Sequence, residues 1–91
     1  MSNHRDSYHD ILFRNIGRAR GAIGWSIYHT AAQIGMKRGT LSAKLHGDSD
    51  FRIRELVRLA IVLEVPFSEL TDGLDEAAEF HIKGEREVVS T

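Results

Sequence analysis

The chain has 91 residues, of which 42% are hydrophobic and none is cysteine, and its formal net charge is −1. This length is enough for one small helical domain, and the absence of cysteine excludes a disulfide framework and a thiolate metal site. No apolar run approaches the roughly 18 residues of a membrane span and the polar start is not a signal peptide, so we expect a cytoplasmic protein.

Apolar spacing and glycine positions divide the chain into three segments. Residues 1–6 read as a loose leader, residues 7–73 as one helical domain, and residues 74–91 as an acidic extension. The domain opens with a helix whose apolar positions are Tyr8, Ile11, Leu12, Ile16, Ala19 and Ile23. Gly17 and Gly21 share a face of it, which either admits a neighbouring helix closely or marks a frayed C-terminal half.

Two short helices separated by one glycine are predicted between Ser26 and Gly47. Gly35 ends the first of them, because a helix C-terminus favours a positive φ that glycine adopts without steric cost. The second runs to His46 and buries Leu41 and Leu45, which are one turn apart. Its outward-facing residues are then Lys37, Arg38, Gly39, Ser42, Ala43 and His46. This pattern is typical of a helix-turn-helix.

A fourth and a fifth helix are predicted after the loop Asp48-Ser49-Asp50. The strongest apolar stretch of the chain predicts a core helix built on Ile53, Leu56, Val57, Leu59, Ala60, Leu63 and Val65. Pro66 suits the first turn of a new helix, so residues 67–71 form a short fifth helix that ends near Gly73.

The C-terminal segment differs from the rest in charge and pattern. Residues 1–63 carry ten basic and five acidic residues, whereas residues 64–91 carry two basic and eight acidic ones. The spacing also becomes extended after Leu74, which predicts a short β extension. Because a lone hairpin is marginal in water, this segment is either a disordered tail or a strand that pairs with its copy in a second subunit. The dimerisation residues would then be Phe80, Ile82, Val88 and Val89.

Residues 11 to 72 resemble the phage Cro and repressor family of helix-turn-helix proteins, often called the XRE family. The resemblance rests on Arg20, Gly24, Ala31, Gly35, the Thr40-Leu41-Ser42 run, Gly47, the segment from Leu59 to Pro66, and Leu70. Ile27, Lys37 and Ala43 depart from residues that are frequent in the family. The resemblance implies an all-α, compact five-helix, lambda-repressor-like fold. It also implies a regulator that binds double-stranded operator DNA as a homodimer and blocks polymerase or a competing regulator.

The same resemblance assigns the residues of the second motif helix to DNA. Arg38 is the best candidate for a bidentate contact to guanine, and the proposed base-reading set is Lys37, Arg38, Gly39, Ser42 and Ala43. Phosphate contacts are predicted for Ser26, Thr40, Lys44, His46, Arg52 and Arg54. Because the acidic C-terminal segment cannot also lie against phosphate, we expect it to face away from DNA.

Other classes of function find less support in the sequence. The five histidines have no metal-binding spacing, no catalytic motif is present, and we expect no enzyme activity, metal or cofactor. Two alternatives stay open. One is the antitoxin of a toxin-antitoxin pair, whose acidic tail covers a basic toxin. The other is a protein-interaction module on a helix-turn-helix scaffold, since a fold does not fix a function.

Overall fold

The computed structural model describes residues 8–77, which fold into helices around one core. The helices are α1 (Tyr8–Ile23), α2 (Ile27–Gln33), α3 (Arg38–Leu45), α4 (Ile53–Leu63) and α5 (Phe67–Leu70). The predicted all-α class is confirmed. A further helical stretch covers 74–77, where the sequence indicated a change to an extended pattern. The leader and the predicted dimerisation residues Phe80, Ile82, Val88 and Val89 lie outside the described residues.

The core is formed by one side of each helix. Its largest fully buried side chains are Ile16, Leu41, Leu59, Leu63, Leu70 and Thr30. Helix α1 crosses the domain and packs against α3, α4 and α5, while α2 packs against α3. Helix α1 thus packs against α3 of the helix-turn-helix, and one face of α3 remains exposed to solvent.

A buried amide joins the first helix to the last. The Asn15 side chain is 4% exposed and donates hydrogen bonds to the carbonyl oxygens of Leu70 at 2.8 Å and Asp72 at 2.9 Å. These two carbonyls lie at the end of α5, where a helix lacks internal donors for its last oxygens. The Asn15 side chain therefore caps the C-terminal end of α5 and attaches α5 to α1.

The start of α2 and the turn after it follow from local chemistry. Ser26 is the N-cap, and its hydroxyl accepts a hydrogen bond from the His29 amide at 3.0 Å. At the other end Gly35 has a φ of +72°, which an L side chain adopts only with strain. The chain reverses there and α3 begins three residues later, as the spacing of the two predicted helices required.

Helix α4 departs from the prediction of a fully buried core helix. Leu56, Leu59, Ala60 and Leu63 are buried, but Ile53 is 69% exposed and Val57 is 41% exposed. Apolar residues cover more than half of the circumference of α4, and its neighbours within residues 8–77 cover only one side. The expectation that Ile53 and Val57 belong to the core is therefore wrong.

The C-terminus of α4 carries a strained residue that offers a test of the fold. Glu64 is exposed and has φ 59° and ψ 44°, the left-handed conformation that costs an L residue about 1 kcal/mol. We expect Glu64→Gly to raise the free energy of unfolding by about 1 kcal/mol and Tm by roughly 4 to 8 °C. Thermal unfolding at low protein concentration measures this shift. Glu64→Ala is the control, because it removes the same side chain but keeps the Cβ; equal Tm values for the two variants would contradict the strain argument.

Candidate nucleic-acid interface

The N-terminal end of α3 is the most open part of the helix-turn-helix. Lys37, Arg38, Gly39 and Thr40 are exposed, while the next residue, Leu41, is completely buried. Lys37 is the N-cap, and its side chain makes no capping hydrogen bond. The first amides of α3 and two cationic side chains therefore face solvent together, an arrangement suited to anionic or hydrogen-bond-accepting partners.

The middle and the C-terminal end of α3 are less accessible. Ser42 and Ala43 are half-buried. His46 is exposed, but its Nδ1 donates to the Ser42 carbonyl at 2.8 Å and its ring packs 5.6 Å from the ring of Phe13 on α1. The structure therefore places His46 at the far end of α3 from Lys37 and Arg38.

Lys44 has a different environment from the one a phosphate contact needs. It is 9% exposed, and its ammonium donates to both carboxylate oxygens of Glu55, at 2.8 and 3.1 Å, and to the Asp50 carbonyl at 3.0 Å. Its three donors all have acceptors within the protein. The Lys44 ammonium is thus engaged within the protein instead of free for the predicted phosphate contact. The spacing of Leu41, Lys44 and Leu45 on one helix side was the signal for this burial.

Glu55 joins α3 to α4. Its carboxylate accepts the Lys44 ammonium and also the backbone amide of Arg52 at 2.8 Å, as the N3 residue of a capping box. Burial raises the pKa of Glu55, but the Arg52 amide and the Lys44 ammonium outweigh it and hold that pKa below its ordinary value. Glu55 is therefore ionised at neutral pH, and a charged pair links α3 to α4.

The loop between α3 and α4 is tied to the start of α1 through Asp50. One carboxylate oxygen of Asp50 accepts the Tyr8 hydroxyl at 2.7 Å and lies 2.8 Å from Nε2 of His9. These two hydrogen bonds hold the pKa of Asp50 below its ordinary value and, reciprocally, the bond to Asp50 raises the pKa of Tyr8. Gly47, with a φ of +85°, lets the loop approach the His9 ring, where a Cβ would lie 3.2 Å from Cγ. The loop that leads to Arg52 is thus held at both ends.

An open cleft of about 310 Å³ lies between the turn of the helix-turn-helix and the start of α4. Its polar lining comes from Thr40, Lys44, Arg52, Glu55 and Arg58. Because Glu55 and Lys44 satisfy each other, Arg52 and Arg58 supply the accessible positive charge on this lining. Thr40 and Arg52, both predicted phosphate contacts, are thereby brought to one cleft.

Arg58 is a basic residue of this surface that the sequence analysis did not assign to DNA. It is exposed on α4, one turn after Arg54, which is exposed as well. That spacing of four residues was the available signal. The surface formed by Lys37, Arg38, Thr40, Arg52, Arg54 and Arg58 is called the basic surface below. Ser26 is the exposed N-cap of α2, and its predicted phosphate donor is the backbone amide, which the hydroxyl bond to His29 does not involve.

Comparisons with known proteins concern the fold. The chain matches no protein-family model and no curated protein. It is similar to a crystal structure of a hypothetical transcription factor, NHTF, from Neisseria, with a TM-score of 0.70 and 22% sequence identity. The match covers 88% of this chain and 94% of that one. At this identity the likeness establishes a shared helical fold.

No helix within residues 8–77 combines the length and the apolar character that a membrane crossing demands.

Proposed function

We propose that this protein is a sequence-specific regulator that binds double-stranded DNA through the major groove and acts by occupying an operator as a homodimer. The observation that carries the proposal is the basic surface. It combines an uncapped, exposed helix N-terminus at Lys37 and Arg38 with further cations at the start of α4. The name of the structural neighbour, a hypothetical transcription factor, supports the same class of function.

Base reading is assigned to the first turn of α3. An α-helix fits the major groove, and the N-terminal residues of a recognition helix reach the base edges. Arg38 is exposed and carries a guanidinium that matches the N7 and O6 acceptors of guanine. Gly39 allows close approach, because nothing lies within 4 Å of the place its Cβ would occupy. Ser42 and Ala43 are half-buried and would read bases only at the edge of the contact.

Phosphate contacts are assigned to the exposed cations at the start and in the first turns of α4. Arg52, Arg54 and Arg58 are exposed, and each long side chain can follow a phosphate backbone beside α3. Lys44 is left out of this set, because a phosphate would have to displace Glu55. Its contribution is to position α3 against α4.

The experiment that tests this proposal is selection from a pool of random DNA duplexes, carried out with the full chain at two salt concentrations. We expect enrichment of a repeated half-site at both, with retention falling steeply as salt rises, because each phosphate contact releases counterions. A heat-unfolded sample of the same protein is the control for non-specific retention. No enrichment at either salt concentration would reject DNA recognition and favour a protein partner instead.

A further inference from the structure

Helix α4 carries an exposed apolar stripe that neither the core nor the basic surface uses. Ile53 is 69% exposed, Val57 41% and Ile61 68%, and the three residues are spaced by four. A spacing of four places them in one row along the helix. Contiguous apolar surface of this kind marks an interaction site more often than isolated exposed residues do. These three residues are called the α4 stripe.

The spacing of the three residues is symmetric about Val57. When two copies of α4 lie antiparallel with a two-fold axis through Val57, Ile53 of each copy meets Ile61 of the other and Val57 meets Val57. A two-fold interface requires this self-complementarity, because the same patch serves on both subunits. We propose that the occupant of the α4 stripe is a second copy of this chain, docked antiparallel about Val57. The proposal rests on the homodimer of the proposed function and names its contact surface.

Charge at the two ends of α4 favours the antiparallel arrangement. The N-terminal end is basic, with Arg52 and Arg54 exposed, whereas the C-terminal end carries the exposed Glu64. Antiparallel copies bring the basic end of one helix to the acidic end of the other, and they oppose the two helix dipoles favourably. A parallel pair would place like charges together.

The position of the α4 stripe also leaves the first turn of α3 accessible. Glu55 and Arg58 mark the side of α4 that faces the cleft and α3. At 100° per residue Val57 lies about 160° around the helix from Glu55, so a second copy on the α4 stripe does not cover the first turn of α3. Three side chains form a small patch, and we expect weak association without DNA.

Disulfide trapping in the full chain, without DNA, tests both the surface and the register, since the protein has no cysteine of its own. We expect Val57→Cys to form a linked dimer in oxidised glutathione at least about tenfold faster than Tyr28→Cys, because two-fold contact raises the effective concentration. Tyr28 on α2 is 68% exposed, as is Ile61 on α4, so Tyr28→Cys measures the linking rate that random collisions give. Ile53→Cys and Ile61→Cys should link slowly alone and rapidly when mixed.

A second measurement guards against a cysteine variant that folds poorly. In analytical ultracentrifugation, the Ile61→Glu variant should lack the self-association that the wild type shows, whereas the Tyr28→Glu variant should retain it. Val57→Cys linking no faster than Tyr28→Cys, or Ile61→Glu associating like the wild type, would overturn the proposal. Neither measurement contains DNA. Half-site enrichment without rapid linking would therefore reject this surface alone, and rapid linking without enrichment would reject the DNA function alone.

Discussion

Replacing Glu55 with glutamine should lower the free energy of unfolding by about 2 to 4 kcal/mol. The change leaves the Lys44 ammonium without its counter-ion in a site where the two side chains are 11% and 18% exposed. Removing one partner of a fully buried pair costs about 3 to 5 kcal/mol, and the residual solvent access reduces that figure. Glutamine still accepts the Arg52 amide, so the loss reports the ion pair rather than the helix cap. Urea unfolding monitored by circular dichroism measures this change in the free energy of unfolding.

Two controls make the Glu55 experiment specific. Glu76→Gln neutralises an exposed carboxylate and should change stability by less than about 0.5 kcal/mol. The double variant Lys44→Met, Glu55→Gln removes the stranded charge and should recover more than half of the loss. Equal stabilities of Glu55→Gln and Glu76→Gln would contradict the structural role of the pair.

The pH dependence of this loss has a definite sign. The pKa of Glu55 is lower in the folded protein, so its contribution is present above the unfolded pKa and disappears as pH falls through the folded one. The stability difference between wild type and Glu55→Gln should therefore be constant near neutral pH and shrink below about pH 4. A difference that grew on acidification would reject the ionised state of Glu55.

Replacing Arg38 with alanine should weaken binding to the selected operator by roughly 30-fold to more than 10,000-fold. A dimer presents two copies of Arg38, and each bidentate contact to guanine contributes about 1 to 3 kcal/mol of discrimination. Binding to unrelated duplex should change far less, because phosphate contacts there remain. Titration of labelled operator and of a scrambled duplex with the same variant measures both.

The matched control for Arg38 is Arg52→Gln. Removing a phosphate contact should weaken operator and scrambled duplex alike and reduce the salt slope by about 2 for a dimer. Lys44→Met should leave that slope unchanged in folded protein, because the ammonium it removes faces Glu55. If Arg38→Ala and Arg52→Gln weakened both duplexes equally, Arg38 would be a phosphate contact and the base-reading assignment would fail.

Periodicity and glycine predicted much of the fold, for local reasons. Leu41 and Leu45 are buried because one turn of a helix places them on the same side, and this is readable from sequence alone. Gly35 follows the end of α2 because the reversal there needs a positive φ, and this requirement concerns the backbone of one residue. Such features depend on neighbours within about four residues.

The sequence was least informative about side chains whose environment depends on residues far away in the chain. Lys44 finds Glu55 eleven residues later, and Asp50 finds Tyr8 and His9 more than forty residues earlier. Ile53 was placed in the core because an apolar pattern indicates which side of a helix avoids water, but not how much of it the neighbouring helices cover. The basic surface was found in part: the spacing of Arg54 and Arg58 is readable from the sequence, but only the fold shows that Arg58 lines a cleft with Thr40 of α3.

If the proposed dimer binds DNA through α3, the pair between Lys44 and Glu55 limits the spacing of the two half-sites. It links α3 to α4 directly, beside the loop that connects them, so a dimer that docks through α4 should hold its two α3 helices at one separation and one rotation. B-form DNA turns through a full circle in about 10.5 base pairs, and a single added base pair rotates one half-site relative to the other by about 34°. A protein with a flexible joint could follow that rotation. We therefore expect the selected operator to have a central spacer of a single length.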